Sequence, residues 1–189
     1  MDTRERMLDV ALQLFATYGY DAVGVQTIVE AAEVTKPTLY HHFGNKRGLF
    51  DTLVQERSSG LMKDVQEATV YAHDIRNSIR KVVETYFDFA MKHPVFYRLL
   101  LSAWFAPPSS EYFPVIQSLM YQQYQLMEHM FLQAADDHGN MKGRQQQYAV
   151  SLKGMIDTYI GMSLQGHVQL TDEHLVYRIT HQFMHGIFS

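Results

Sequence analysis

The chain of 189 residues contains no cysteine. Disulfides, thiol nucleophiles and thiolate-bound metals are thereby excluded. Proline is scarce at five residues and glycine stands at eleven, so few breaks interrupt regular structure. Long apolar runs are missing too. The longest stretch free of acidic and basic residues, Tyr112–Met127, is dotted with glutamines and is too short and too polar to span a bilayer. The opening MDTRERMLDV is charged from its second residue and lacks the basic-then-apolar order of a secretory signal. No glycine-rich phosphate loop, no G-x-S-x-G and no framed carboxylate pair occurs. An enzyme is therefore not expected; a soluble, cytoplasmic protein without membrane contact is.

What is present is helical patterning. Hydrophobic residues make up 47% of the chain, enough for a sizeable core without staples. Met7, Leu8, Ala11, Leu12 and Phe15 follow the spacing of an amphipathic helix, which Gly19 should end. Short helices fit residues 25–32, with Ile28 and Ala31 or Ala32 inward, and 36–43. Longer ones fit 46–70, 74–92, 94–105, 110–137, 143–167 and 171–187. Ser109 or Ser110 and Thr171 are the expected N-caps of two of these. The fold class is all-α, with about nine helices.

The net charge is −4, yet no acid stands between Glu33 and Asp51, a stretch holding Lys36, Lys46 and Arg47. Within it lies VTKPTLYHHFGNK. On a helical wheel Leu39 and Phe43 fall together and face inward. Pro37, Thr38 and His41 face outward, with Tyr40 and His42 on the flanks. Thr35 can cap this helix, and Pro37 is harmless in a first turn. An exposed face of small groups flanked by donors suits a helix lying in a DNA major groove. A short helix, a tight turn and this helix make a helix-turn-helix; two small packed helices with no such role would read the same way.

The stretch VTKPTLYHHFGNKRGLF, with LFATYGYDAVGVQTIVEAAEV before it, resembles the DNA-binding signature of the TetR family of transcriptional regulators over roughly residues 4–55. The resemblance implies a three-helix DNA-binding domain at 1–50, its motif at about 26–45, and a ligand-binding and dimerisation domain at 51–189. By position, Gln26 and Thr27 would touch backbone or base at the start of the second helix. Thr35, Lys36, Pro37 and Thr38 would form the tip of the recognition helix. Tyr40, His41 and His42 would meet phosphates or a thymine methyl, and Lys46 would anchor a phosphate. Three positions depart from the family pattern. Gly24 replaces a hydroxyl residue at an N-cap, Val29 replaces an alanine at the helix crossing, and Glu33 replaces a turn glycine, where its side chain dislikes positive φ.

The family resemblance further implies a homodimer, a palindromic double-stranded operator and a small-molecule effector. The aromatic and methionine-rich middle supplies the expected pocket, with Phe96, Trp104, Phe105, Tyr112, Met120 and Tyr124 as lining, although core packing alone accounts for such residues as well. Ser151, Gly154, Thr158 and Gly161 make a stripe of small residues, expected at a dimer interface together with Phe183, or else at a close crossing within the subunit. His174, His181 and His185 share one helix face, but no Cys or H-E-x-x-H frame accompanies them, so no metal or cofactor is expected. The reading is a ligand-responsive regulator, a repressor released by a small apolar or aromatic effector. The alternative is an architectural or partner-binding protein with the same DNA-binding domain and no effector.

Overall fold

The computed structural model describes residues 2–186. Among them nine α-helices occur and no strand: α1 (Thr3–Tyr18), α2 (Val25–Ala31), α3 (Lys36–Phe43), α4 (Lys46–Ala68), α5 (Ile75–Lys92), α6 (Pro94–Trp104), α7 (Phe113–Asp137), α8 (Gln145–Leu164) and α9 (Leu175–His185). The all-α expectation holds. Two compact units emerge: one formed by the chain up to Ser59 with Val95–Ser118, the other by Gly60–Pro94 with the chain from Leu119 onward.

In the first unit α1 buries Met7, Leu8, Ala11, Leu12 and Phe15 and packs on α2, which packs on α3. The α1–α2 turn brings Tyr20 into an aromatic cluster. Its ring centroid lies 5.3 Å from Phe15, 5.2 Å from Phe50 and 4.6 Å from Tyr112. Tyr112 lies in the segment between α6 and α7, so that segment helps to build the core of this unit. Its burial also explains why α7 starts at Phe113 rather than at residue 110. Instead of capping a helix, residues 107–113 make successive turns, Ser110 N–H to Pro107 O and Phe113 N–H to Ser110 O.

The second unit is organised by α5, which buries Ile79, Val82, Val83, Tyr86 and Phe87 and packs on α8 and α9. Asp74 caps α5 by accepting from Asn77 N–H at 3.0 Å. α9 starts later than expected from Thr171. His174 stands at the N-cap without a side-chain bond, while Asp172 braces the turn just upstream, accepting from His174 N–H at 2.9 Å and pairing with Arg178 at 2.6 Å.

The turn after α2 carries the strain expected of Glu33, whose φ is +52°. Val34 N–H bonds to Val29 O and Glu33 N–H to Glu30 O, the paired bonds of a Schellman helix end, whose left-handed position favours glycine. The turn thus keeps its shape and the side chain bears the cost. Glu33→Gly should stabilise the protein by up to ~1 kcal/mol, the left-handed penalty less the backbone entropy glycine loses on folding. Urea denaturation checks this; unchanged or lower stability would mean that Glu33 is not strained.

Candidate nucleic-acid interface and regulatory core

Helix α3 is built to show one face. Leu39 and Phe43 are buried, as the wheel predicts. Thr35, Lys36, Pro37, Tyr40, His41 and His42 are exposed and Thr38 is half-buried. Thr35 caps the helix: its hydroxyl accepts from Thr38 N–H at 3.4 Å and lies 2.9 Å from Thr38 Oγ1. The two hydroxyls thereby hold each other at the exposed tip, ready to exchange partners with an incoming polar group. His41 and His42 stand ring to ring at 5.4 Å on the same short helix. The C-terminal side is locked by Gly48, where an added Cβ would lie 2.1 Å from Phe43 O. Only glycine lets α4 start this close to the end of α3.

On α2, Gln26 and Thr27 are exposed, and Gln26 Nε2 donates to Glu30 Oε1 at 2.5 Å. That bond restrains the side chain near where the resemblance puts a DNA contact. Gly24 occupies the N-cap of α2 with no side-chain bond, as its lack of a hydroxyl requires. Arg47, counted among the local cations, pairs with Asp51 at 2.6 Å, so its charge is partly offset.

Lys46 has a role that the sequence did not announce. Its Nζ donates to Tyr20 O and Val23 O, both at 3.1 Å, and sits 4.0 Å from the Tyr20 ring centroid. It therefore ties the first turn of α4 to the α1–α2 turn, leaving at most one N–H for an outside acceptor.

The residues expected to line an effector pocket divide between the two units, with Phe96, Trp104, Phe105 and Tyr112 in the first and Met120 and Tyr124 in the second. Phe96 and Met120 are buried, and Tyr112 belongs to the aromatic cluster around Tyr20. Phe105 is 82% exposed. Trp104 is half-buried and stacks on Phe113 at 6.3 Å. Tyr124, half-buried, carries a phenol raised above its ordinary range by burial and by Asp157. Three cavities lie within the second unit, of about 520, 270 and 170 Å³, and none takes any of these six residues as lining. The largest is bounded by charged side chains including Asp64, Glu84, Asp88 and Lys92. The smallest is apolar, lined among others by Ile79, Phe131, Tyr148 and Phe183.

Inside the same unit is a polar constellation that sequence reasoning missed. Lys153, 1% exposed, pairs with Asp157 at 2.5 Å and lies 5.0 Å from the ring centroid of Tyr86. Burial lowers the Lys153 ammonium from its ordinary range, against the opposing pull of Asp157. Burial likewise drives the Tyr86 phenol far up, so it remains a donor, and it gives its proton to Gln123 Oε1 at 2.7 Å. A Lys and an Asp four residues apart read from sequence as a solvated helix pair; nothing short of the fold reveals their burial.

On α8, Ser151, Gly154 and Thr158 are exposed and Gly161 is half-buried. A Cβ added to Gly154 meets nothing within 4 Å. The stripe is thus no close crossing within the subunit at that position. Phe183 is half-buried and packs inward on Phe131 at 6.0 Å and Tyr148 at 6.4 Å. His181 and His185 rings lie 4.6 Å apart, and among the described residues no group of three potential ligands could hold a metal. No helix of the described residues is long and apolar enough to cross a membrane.

A capped helix with a buried apolar edge and an exposed acid-free face, set after a shorter helix and a tight turn, makes a helix-turn-helix, the arrangement that suits a helix to a DNA major groove. Residues 7–53 match the model for bacterial regulatory proteins of the tetR family. The HTH-type transcriptional activator FasR of Mycolicibacterium smegmatis is 34% identical over 99 residues, which cover 52% of this chain and 45% of FasR. The chain thus spans less than half the length of that relative. Two solved structures share the fold at low identity. FadR of Bacillus subtilis, solved with stearoyl-CoA, has a TM-score of 0.79 at 16% identity, covering 97% of this chain and 98% of its own. PfmR of Thermus thermophilus has a TM-score of 0.77 at 20% identity, covering 100% and 99%. Over its N-terminal segment the chain is thus similar to the TetR family of regulators.

Lys46→Met should lower affinity for every DNA sequence alike and reduce the salt slope of binding by about one. It should also cost about 1–3 kcal/mol of stability by stranding the carbonyls of residues 20 and 23. Binding isotherms at several salt concentrations, with a parallel denaturation curve, check both. A loss confined to one DNA sequence would remove Lys46 from the backbone-contact set.

Proposed function

We propose that the protein is a ligand-responsive, DNA-binding transcriptional regulator working as a homodimer. It represses by holding a palindromic operator and lets go when a small apolar or aromatic effector binds. The observation that carries this reading is the outer face of α3: Thr35, Lys36, Pro37, Tyr40, His41 and His42 exposed together without an intervening acid. Gln26, Thr27 and Thr38 extend that face, and Lys46 borders it. Two such helices in a symmetric pair would sit about one DNA turn apart, ~34–36 Å.

Pairing along α8 is supported by the exposure of Ser151, Gly154 and Thr158. The Thr158 hydroxyl already donates to Gly154 O at 2.8 Å, so covering it leaves no donor stranded. Gly154→Leu should leave the subunit folded, because its side chain meets nothing inside. It should weaken the dimer by roughly 1–3 kcal/mol through overpacking of a close contact. Sedimentation equilibrium reads the outcome, and an undiminished dimer would move the interface elsewhere.

An effector with a long apolar part suits the buried side chains Met120, Met127, Met130 and Phe131 of α7. The stearoyl-CoA in FadR is an effector-sized molecule of that type. A mobility-shift assay on the DNA upstream of the protein's own gene tests the regulator reading; no sequence-selective complex at moderate salt would sink it. Any compound that releases the operator must itself bind more weakly in the operator's presence, by the same factor, with a coupling of ~1–3 kcal/mol. Trp104 fluorescence, the chain's one indole signal, offers the titration readout with and without DNA.

A further inference from the structure

Resting on that effector reading, we propose that Gln123, held by Tyr86 in the polar centre that contains Lys153, forms the polar end of the effector site and that its Nε2 binds the neutral carbonyl oxygen of an otherwise apolar molecule. Gln123 on α7 is 1% exposed. Its Oε1 accepts from Tyr86, and its Nε2 has no partner among the described residues. Exchanging the amide oxygen and nitrogen would strand both the Tyr86 hydrogen and the oxygen, so the unsatisfied group is the donor. Met120 and Met127, three residues before and four after on the same helix face, are buried. A donor with two N–H groups thus lies among apolar side chains.

The charge of the centre is already balanced. Lys153 and Asp157 neutralise each other through both carboxylate oxygens, at 2.6 and 2.5 Å. A carboxylate ligand would add an uncompensated buried charge, and so would a cation, beside the Lys153 ammonium and facing the Gln123 N–H groups. A neutral carbonyl supplies the acceptor and adds no charge. Unpaired buried amides are uncommon in native cores, and a site built to hydrogen-bond a ligand rejects analogues lacking the partner far more strongly than an apolar pocket rejects a missing methylene.

The test uses the full chain, as wild type and as the double variant Tyr86→Phe/Gln123→Met, with methyl laurate, laurate and dodecane as probes in equilibrium binding. The wild type should bind the ester at least ~10-fold more tightly than the alkane, and more tightly than the acid. The double variant should lose the ester preference, keep its affinity for dodecane, and melt at or above the wild-type temperature, since both halves of the Tyr86–Gln123 bond are gone. A wild type that does not favour the ester, including one that binds no probe, overturns the proposal. So does a double variant that retains the preference, or one that melts well below wild type, since the amide would then be structural. Operator binding run in parallel separates the two readings. An ester held with the expected preference that leaves the operator bound defeats the effector reading and not the carbonyl site. An effector that releases DNA equally from wild type and double variant defeats the carbonyl site alone.

Discussion

The ring of Tyr20 is the contact on which the DNA-binding unit depends. Phe15 from α1, Phe50 from α4 and Tyr112 from the segment before α7 close on it from three directions, and the Lys46 ammonium covers it from a fourth. Its hydroxyl donates to Glu111; burial and this carboxylate both raise the phenol, so the proton stays in place. The turn leading into α2 is therefore positioned by packing of Tyr20 and Val23 rather than by its exposed residues, Gly19, Asp21, Ala22 and Gly24. Because α3 follows α2 through a Schellman end with fixed hydrogen bonds, the exposed tip at Thr35–Thr38 inherits its position from the aromatic cluster. A buried ring thus determines where the exposed side chains of α3 stand.

The electrostatics of this unit resolve the apparent conflict between an acidic chain and a nucleic-acid partner. Several arginines are spent on the protein itself. Arg4 pairs with Glu56, Arg57 with Glu5 and Asp9, and Arg47 with Asp51. These pairs join α1 to α4 or brace α4, and partly exposed pairs of this kind add little stability each. Their larger effect is on the field: acids away from α3 are matched locally, while Lys36 projects from an acid-free segment. Net charge is then a poor guide to partner, since what a phosphate meets within a Debye length of about 8–10 Å is the local set.

Much of the fold was legible from spacing alone. The 3.6-residue rhythm located all nine helices, and the wheel of α3 separated Leu39 and Phe43 from the exposed set because burial on a short amphipathic helix is a local property. Boundaries shifted where tertiary contacts intervened: Tyr112 is drawn into an aromatic cluster, and Asp172 rather than Thr171 braces the approach to α9. The tie of Lys46 to the Tyr20 and Val23 carbonyls was hidden because carbonyl acceptors carry no sequence signal. Composition does not separate pocket residues from core residues, since large soft side chains build cores as readily as cavities, and Tyr112 and Phe96 are buried here. Lys153 and Asp157 were hidden for the opposite reason: their spacing is that of an ordinary surface pair.

Helix α8 shows how two demands can share one element. Ser151, Gly154 and Thr158 lie on one side and Lys153, Ile156 and Ile160 on the other, a division of exposed from buried residues that follows from about 100° per residue. The inner side contains a charged pair that a hydrophobic pair of similar volume could replace without loss of stability. Its retention is better explained by orientation. An aliphatic face tolerates small rotations and slides, whereas a bidentate Lys–Asp pair against the Tyr86 ring fixes the helix about its own axis. The outer stripe is then presented at a defined angle, which bears on the pairing proposed through it, because small residues complement a partner surface only when the backbones approach along one line. A rotation of α8 that relaxed the inner pair would turn Gly154 out of that line. The polar centre and the small-residue face are thus two sides of one constraint, and the geometry of either is set by the other.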